Sequence, residues 1–185
     1  MPFLKEIVDD INTNWQSFLP DGKFFGIIET LVDEQVVNDA VALVRYPAMV
    51  DDTGDGLPII PDSLDPFVVY HKLESITNSY EDKTGRRFEK EVANMVLVCF
   101  GYINILQHPA YWLENVLKDL MTLNNRRPMQ SSVITVGAST FDKLGMLGRE
   151  YAGVMPSFPN LIGFEMRYRI ESTYTKGCFI TNLQK

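Results

Sequence analysis

Only two cysteines, Cys99 and Cys178, occur among the 185 residues. Two thiols cannot make a disulfide framework. Both sit in apolar, strand-like stretches, so buried reduced thiols and synthesis in a reducing cytoplasm are expected. Histidine is as scarce: His71 lies on a strand-like stretch, His108 precedes a helix-opening Pro, and neither has a metal-ligand partner at the right spacing. Long apolar runs are missing too. The longest, Met95 to Leu106, contains Asn104 and falls short of the roughly 20 residues a membrane helix needs. The first ten residues carry Glu6, Asp9 and Asp10 and lack the basic start and apolar core of a secretory signal. Basic charge is in deficit, with 17 Lys+Arg against 24 Asp+Glu and a net charge of −7. That balance argues against a protein whose main work is gripping nucleic-acid phosphates.

What remains is an ordinary globular composition, 45% hydrophobic and 22% charged, which excludes a disordered chain, a collagen or a coiled-coil rod. The length suits one domain, residues 1–185, able to bury a core without staples. Residues 3–19 predict a helix, because Phe3, Leu4, Ile7, Val8, Ile11, Trp15 and Phe18 recur at spacings of three and four. Residues 24–35 fit a second short helix better than a strand, although Gly26 weakens it. VALVRY at 41–46 predicts a strand stopped by Pro47, and residues 47–66 a long Pro/Gly/Asp loop. Residues 67–77 and 88–103 predict two strands around a polar hairpin tip, NSYEDKTGRR. The second strand is apolar on both faces from Met95 onward and should lie centrally.

Pro109 opens a helix over 110–124, with Trp112, Leu113, Val116, Leu117 and Leu120 as its buried stripe. A short strand at 132–137 precedes a second long loop, 138–160. The strand at 161–175 alternates Ile162, Phe164, Met166, Tyr168 and Ile170 with Glu165, Arg167, Arg169 and Glu171, one face buried and one charged. The order predicts an α+β domain: a mostly antiparallel sheet, helices packed on one face, and two long interaction loops.

Motif-like stretches carry little chemistry. DDTGDG at 51–56 starts like a calcium loop, but Thr53 replaces an acid, Asp62 stands where a bidentate Glu belongs, and Pro58 and Pro61 break the loop and the helix after it. Gly145-Met146-Leu147-Gly148 matches a GXXG clamp in spacing only, inside a Gly/Pro-rich loop of an acidic chain. Glu89 and Glu91 share a strand face flanked by Arg87 and Lys90, as a solvated hairpin arm would. No G-x-S-x-G elbow, H-E-x-x-H pair or phosphate-cradling Gly loop is present. No catalytic residue, cofactor or metal is expected. The candidate interface is instead the hairpin tip, Tyr80, Glu81, Asp82, Lys83, Arg86 and Arg87, together with Arg126 and Arg127 at a helix end. A mixed-charge surface of that kind sets register between molecules rather than bulk affinity.

Three stretches carry a resemblance. They are VALVRYP followed by a Pro-rich loop and PFVVYHKLES; VANMVLVCFGYINILQHPAYWLENVLKDLMT, a strand running through glycine into a helix; and FPNLIGFEMRYRIESTYT with its Glu-x-Arg strand. Over residues 41–183 the pattern resembles the neck and tail terminator proteins of tailed bacteriophages. The resemblance implies a virion structural protein, made in the host cytoplasm. It implies a homohexameric ring that ends the tail tube, meets the tube protein and the head completion or connector protein, and lets viral DNA pass through its lumen, with no membrane partner. Another virion ring or head–tail connector, and a small α+β enzyme with a scattered site, are the other classes the sequence leaves open.

Overall fold

A computed structural model describes residues 2–37, 40–50, 55–59, 67–83, 86–102, 110–123, 131–140 and 161–175. Among them are two helices, α1 (Pro2–Phe18) and α2 (Ala110–Leu123), and eight strands. The strands are β1 (Lys23–Ile27), β2 (Glu29–Val37), β3 (Ala40–Val50), β4 (Gly56–Pro58), β5 (Phe67–Lys83), β6 (Arg86–Tyr102), β7 (Ser131–Thr140) and β8 (Leu161–Thr175). They form a five-stranded sheet ordered β1-β5-β6-β8-β7 and a three-stranded sheet ordered β2-β3-β4. Every pairing is antiparallel except β1 with β5. This is the expected α+β architecture, with a second sheet that the sequence did not announce.

The central strand is β6, paired with β5 on one side and β8 on the other. Its run from Met95 to Phe100 is buried without a break because both faces are covered. On one face Met95, Leu97 and Cys99 join Val69, Phe164, Met166 and Ile170 beneath α1 and α2. The helices supply Leu4, Ile7, Val8, Ile11 and Trp15, and Leu113, Leu117, Leu120 and Met121. On the other face Val96, Val98 and Phe100 join Val68 and Tyr70 under Ile28, Ile59 and the partly buried Tyr46. Gly163 lies opposite Phe100 in the ladder, and a Cβ there would come within 2.6 Å of the Phe100 ring, so the aromatic occupies the space that a β8 side chain would need.

Several expectations are corrected. Residues 24–35 are strand, not helix. Ile27 and Ile28 sit beside His71 of β5, with the Ile28 N–H donating to the His71 carbonyl at 2.9 Å. The Thr30 to Val37 stretch pairs along β3. Tertiary pairing of β-branched residues outweighs an apolar spacing that also suits a helix. Phe18 is 66% exposed. The N–H of Leu19 closes onto the Trp15 carbonyl at 2.7 Å, and Leu19 takes the core-side position instead.

The loop expected at 47–66 is partly strand, since β3 runs through Pro47 to Val50 and β4 comes after it. The Pro47 carbonyl accepts from Ile59 N–H at 2.8 Å, on the β4 side. A strand residue's two polar groups point the same way, so the donor that proline lacks also faces β4, and the ladder to β2 loses nothing. Likewise β7 continues to Thr140, shortening the loop expected from 138. The rest of that loop with its GXXG stretch, residues 51–54 and 60–66, His108, Cys178, Arg126 and Arg127 lie outside the described residues.

Candidate interaction surfaces

Strands β5 and β6 are 17 residues each, about 55 Å at the usual rise. A helix of 17 residues, as in α1, covers only about 25 Å. The sheet therefore outruns its helical cover. From Leu73 to Tyr80 every β5 residue is exposed except Ile76, which touches the helix-side core. The hairpin strand expected to end near residue 77 stays paired far beyond it: Tyr80↔Glu89, Glu81↔Phe88, Asp82↔Arg87 and Lys83↔Arg86 are direct partners. Six of the eight interface candidates thus share the end of one arm, with Tyr80 about half exposed at 49%. Glu89 and Glu91 face Tyr80 and Asn78 across the ladder rather than forming an isolated acid pair. The register ends on the Lys83↔Arg86 pair.

A second surface was not foreseen. In the three-stranded sheet, Val44 and Ala48 of β3 are fully buried. The alternate residues point outward: Val41 is 70% exposed, Leu43 64% and Met49 42%. Register puts Val32 of β2 opposite Arg45 and Leu57 of β4 opposite Met49, on this same outward face, 50% and 67% exposed. The alternation of VALVRYPAMV contained the signal. Ending the strand at Pro47 hid Met49 and Leu57.

Most polar groups described inside the fold find a local partner, the buried Trp15 Nε1–H being an exception. His71 is fully buried, with Nδ1 2.7 Å from the Tyr168 hydroxyl and Nε2 3.0 Å from Asn12 Oδ1. Asn12 Nδ2 donates to the Phe25 carbonyl at 2.9 Å. Oδ1 is therefore the acceptor, Nε2–H donates to it, and Nδ1 accepts from the Tyr168 O–H. One directed chain ties β8, β5, α1 and β1. The Trp15 ring stacks on the imidazole, centroids 5.5 Å apart. Burial pushes the His71 pKa from 6.5 down to about 3 and raises those of Tyr168 and Cys99. A neutral histidine sealed from solvent pins four elements together and is not placed to serve a substrate.

Glu114 of α2 is also buried and accepts from Ser139 Oγ of β7 at 2.6 Å, with Lys118 as its ion-pair partner. Burial works to raise its pKa, but the hydrogen bonds from Lys118 and Ser139 and the Lys118 charge outweigh that and hold the carboxyl below its ordinary value. This contact fixes α2 against the edge strand. Among the described residues no group of three or more His, Cys, Asp or Glu is arranged to hold a metal, and no helix is long and apolar enough to cross a membrane.

The two ends of the sequence differ in charge. Residues 1–66 hold three Lys+Arg against thirteen Asp+Glu, whereas residues 67–185 hold fourteen against eleven. On the outer half of β8, Arg167 and Arg169 are exposed on the face that carries Val96 and Val98 lower down. Their ion pairs, Arg167 to Glu74 at 3.7 Å and Arg169 to Glu171 at 2.5 Å, lie at the surface. Comparison of the chain with protein-family models and with curated proteins gave no match.

Proposed function

We propose that this chain is a ring-forming structural protein of a tailed phage, which ends the tail tube and joins it to the head connector. The observation that carries the reading is the arm of β5 and β6, which extends about twice as far as the helices that cover the core. A strand of about five or six residues is the norm in a self-contained domain, so 17-residue strands, with β5 exposed from Leu73 to Tyr80 apart from Ile76, serve something beyond their own core. The resemblance of VALVRYP, PFVVYHKLES and the Glu165-Met166-Arg167 strand to neck and tail terminator proteins supplies the kind of assembly. A net charge of −7 suits a lumen through which DNA must slide without being held.

Deleting residues 81–86 tests the arm. The hairpin then closes above the Tyr80↔Glu89 pair through Arg87 and Phe88, a link of the same length as before. Unfolding curves are expected to stay close to those of the parent, while incorporation into particles falls sharply. Unchanged incorporation would overturn the arm's role. Virions made without the protein are expected to show unattached tails or tails of irregular length, and normal joined particles would refute the function.

A DNA-binding titration is a separate check. Purified protein is expected to bind duplex DNA weakly and without sequence preference at physiological salt. Sub-micromolar affinity would mark a nucleic-acid-binding protein instead.

A further inference from the structure

The fully buried His71 lies beneath α1, and two side chains of that helix close it in, Asn12 by a hydrogen bond and Trp15 by a stacked ring. Nδ1, the nitrogen that would take a second proton, already accepts from the Tyr168 hydroxyl. Protonating the ring in place would take away that acceptor and bury a charge among apolar side chains. We infer that His71 is an acid-sensitive latch on α1: below neutral pH the helix lifts from the sheet as a unit, ahead of global unfolding, and the uncovered imidazole takes the proton. The inference holds whether or not the chain forms a ring.

No counter-ion for an imidazolium is at hand among the described residues. From β8 the group that faces the ring is the Tyr168 hydroxyl. Arg167 and Arg169 lie on the other face of that strand and are exposed. β6 sets Leu97 opposite His71, with Met95 and the buried Cys99 thiol in the same core. From α1, Lys5, Glu6 and Asp9 are exposed and Asp10 is half-buried, while β1 brings Phe24 against Trp15 and leaves Lys23 exposed. Lys72, next to His71 in β5, takes the alternate face. Glu114 of α2 is occupied by Ser139 and Lys118. Desolvation is the cause of the lowered His71 pKa, with no charge contributing.

The fold offers α1 as the part that yields. It joins the rest of the described chain through one turn, in which Gly22 N–H donates to the Leu19 carbonyl at 3.2 Å. α2 is fastened separately, by Glu114 to Ser139 of β7. β5, β6 and β8 are held by long ladders. Lifting α1 gives up its apolar contacts and the Asn12 bonds but breaks no pairing among these three strands, so it is the smallest movement that brings water to the ring. Once lifted, the ring titrates at its ordinary 6.5 rather than at about 3. As pH falls through 6.5, the lifted state binds a proton that the closed state refuses. The lifted population therefore grows by about 25-fold between pH 7 and pH 5.

The experiment is native-state hydrogen exchange on the full chain at pH 7 and pH 5 in low concentrations of urea, with protection corrected for the intrinsic rate at each pH. The α1 amides are expected to be less protected than those of β6, to respond less to urea, and to lose about 25-fold in protection at pH 5. Two variants assign the loss to the imidazole. His71→Gln is expected to show the same α1 protection at both pH values, whatever its level. Asn12→Asp sets a carboxylate against Nε2, supplies the missing counter-ion, and is expected to cut the loss several-fold.

α1 and β6 amides that share one protection and one urea dependence at both pH values would mean that the fold opens only as a whole, and would overturn the latch. A parent equally protected over α1 at pH 7 and pH 5 overturns it too, as does a full loss that persists in His71→Gln or in Asn12→Asp.

Discussion

Replacing Phe164 by alanine is expected to remove roughly 3–5 kcal/mol of stability, the cost of a large buried side chain plus the cavity it leaves. Phe164 is 2% exposed and belongs to the helix-side core with Leu97, Met166 and Leu117. It stands opposite Cys99 in the ladder, so it fills space between the central strand and the helices. The readout is the urea midpoint at an unchanged dependence on denaturant, which separates lost stability from a changed unfolded state. Glu165→Ala, one residue along and on the other face, is expected to change stability by no more than about half a kcal/mol. Equal effects at the two positions would mean that the strand is out of register by one residue.

Acid is expected to weaken the fold through His71. His71 is held neutral, its pKa at about 3 against an ordinary 6.5. Between those values the unfolded chain binds a proton that the folded chain refuses. The stabilisation is complete above pH 6.5 and is lost progressively as pH falls toward 3. Linkage puts the loss between pH 7 and pH 5 at about 2 kcal/mol. Glu114, with its pKa held below its ordinary value, adds its own loss only at lower pH. Urea unfolding at a series of pH values measures the effect. His71→Gln is expected to be less stable than the parent at pH 7, because the chain from Tyr168 to Phe25 is broken, yet to lose this dependence between pH 5 and 7. A parent equally stable at pH 5 and pH 7 would contradict the sealed, neutral imidazole.

The sequence was most legible where one physical signal acted alone. The alternation from Phe164 to Glu171 placed β8 and its buried face because a period of two has no competing interpretation. The helical stripes from Leu4 to Trp15 of α1 and from Leu113 to Leu120 of α2 were equally plain, Phe18 excepted, and the continuous apolar run after Met95 marked the central strand. Legibility failed where a partner distant in sequence decides the structure. Residues 24–35 carry spacings compatible with either element, and only pairing with His71 and with β3 makes them strands. Pro47 looked like an end because its local effect is to remove a donor, whereas the strand survives since that donor would point away from β2. The arm was foreseen as a tip and not as a long paired extension, since polar residues signal exposure and say little about pairing. Of the interface candidates, the tip residues do share one end of the fold. The apolar outward face of the small sheet went unnoticed because exposed and buried apolar residues look alike until the layer beneath them is known.

The position of β6 has a consequence during synthesis. Its stretch from Met95 to Phe100 needs cover on both faces and a neighbour on each edge. β5 precedes it in the chain, and so do α1 and the small sheet. The other edge must wait for β8, whose Gly163 pairs with Phe100. At ribosomal rates of about 5–20 residues per second, that partner emerges on the order of 3–12 seconds later. Through that interval a growing chain presents one unpaired edge of a sticky strand to every other ribosome's product nearby. Slow translation between residues 102 and 161 would lengthen the exposure, so overproduction at low temperature sets slower aggregation against a longer wait. The yield of soluble protein should therefore depend on translation speed across that segment as well as on the stability of the finished fold.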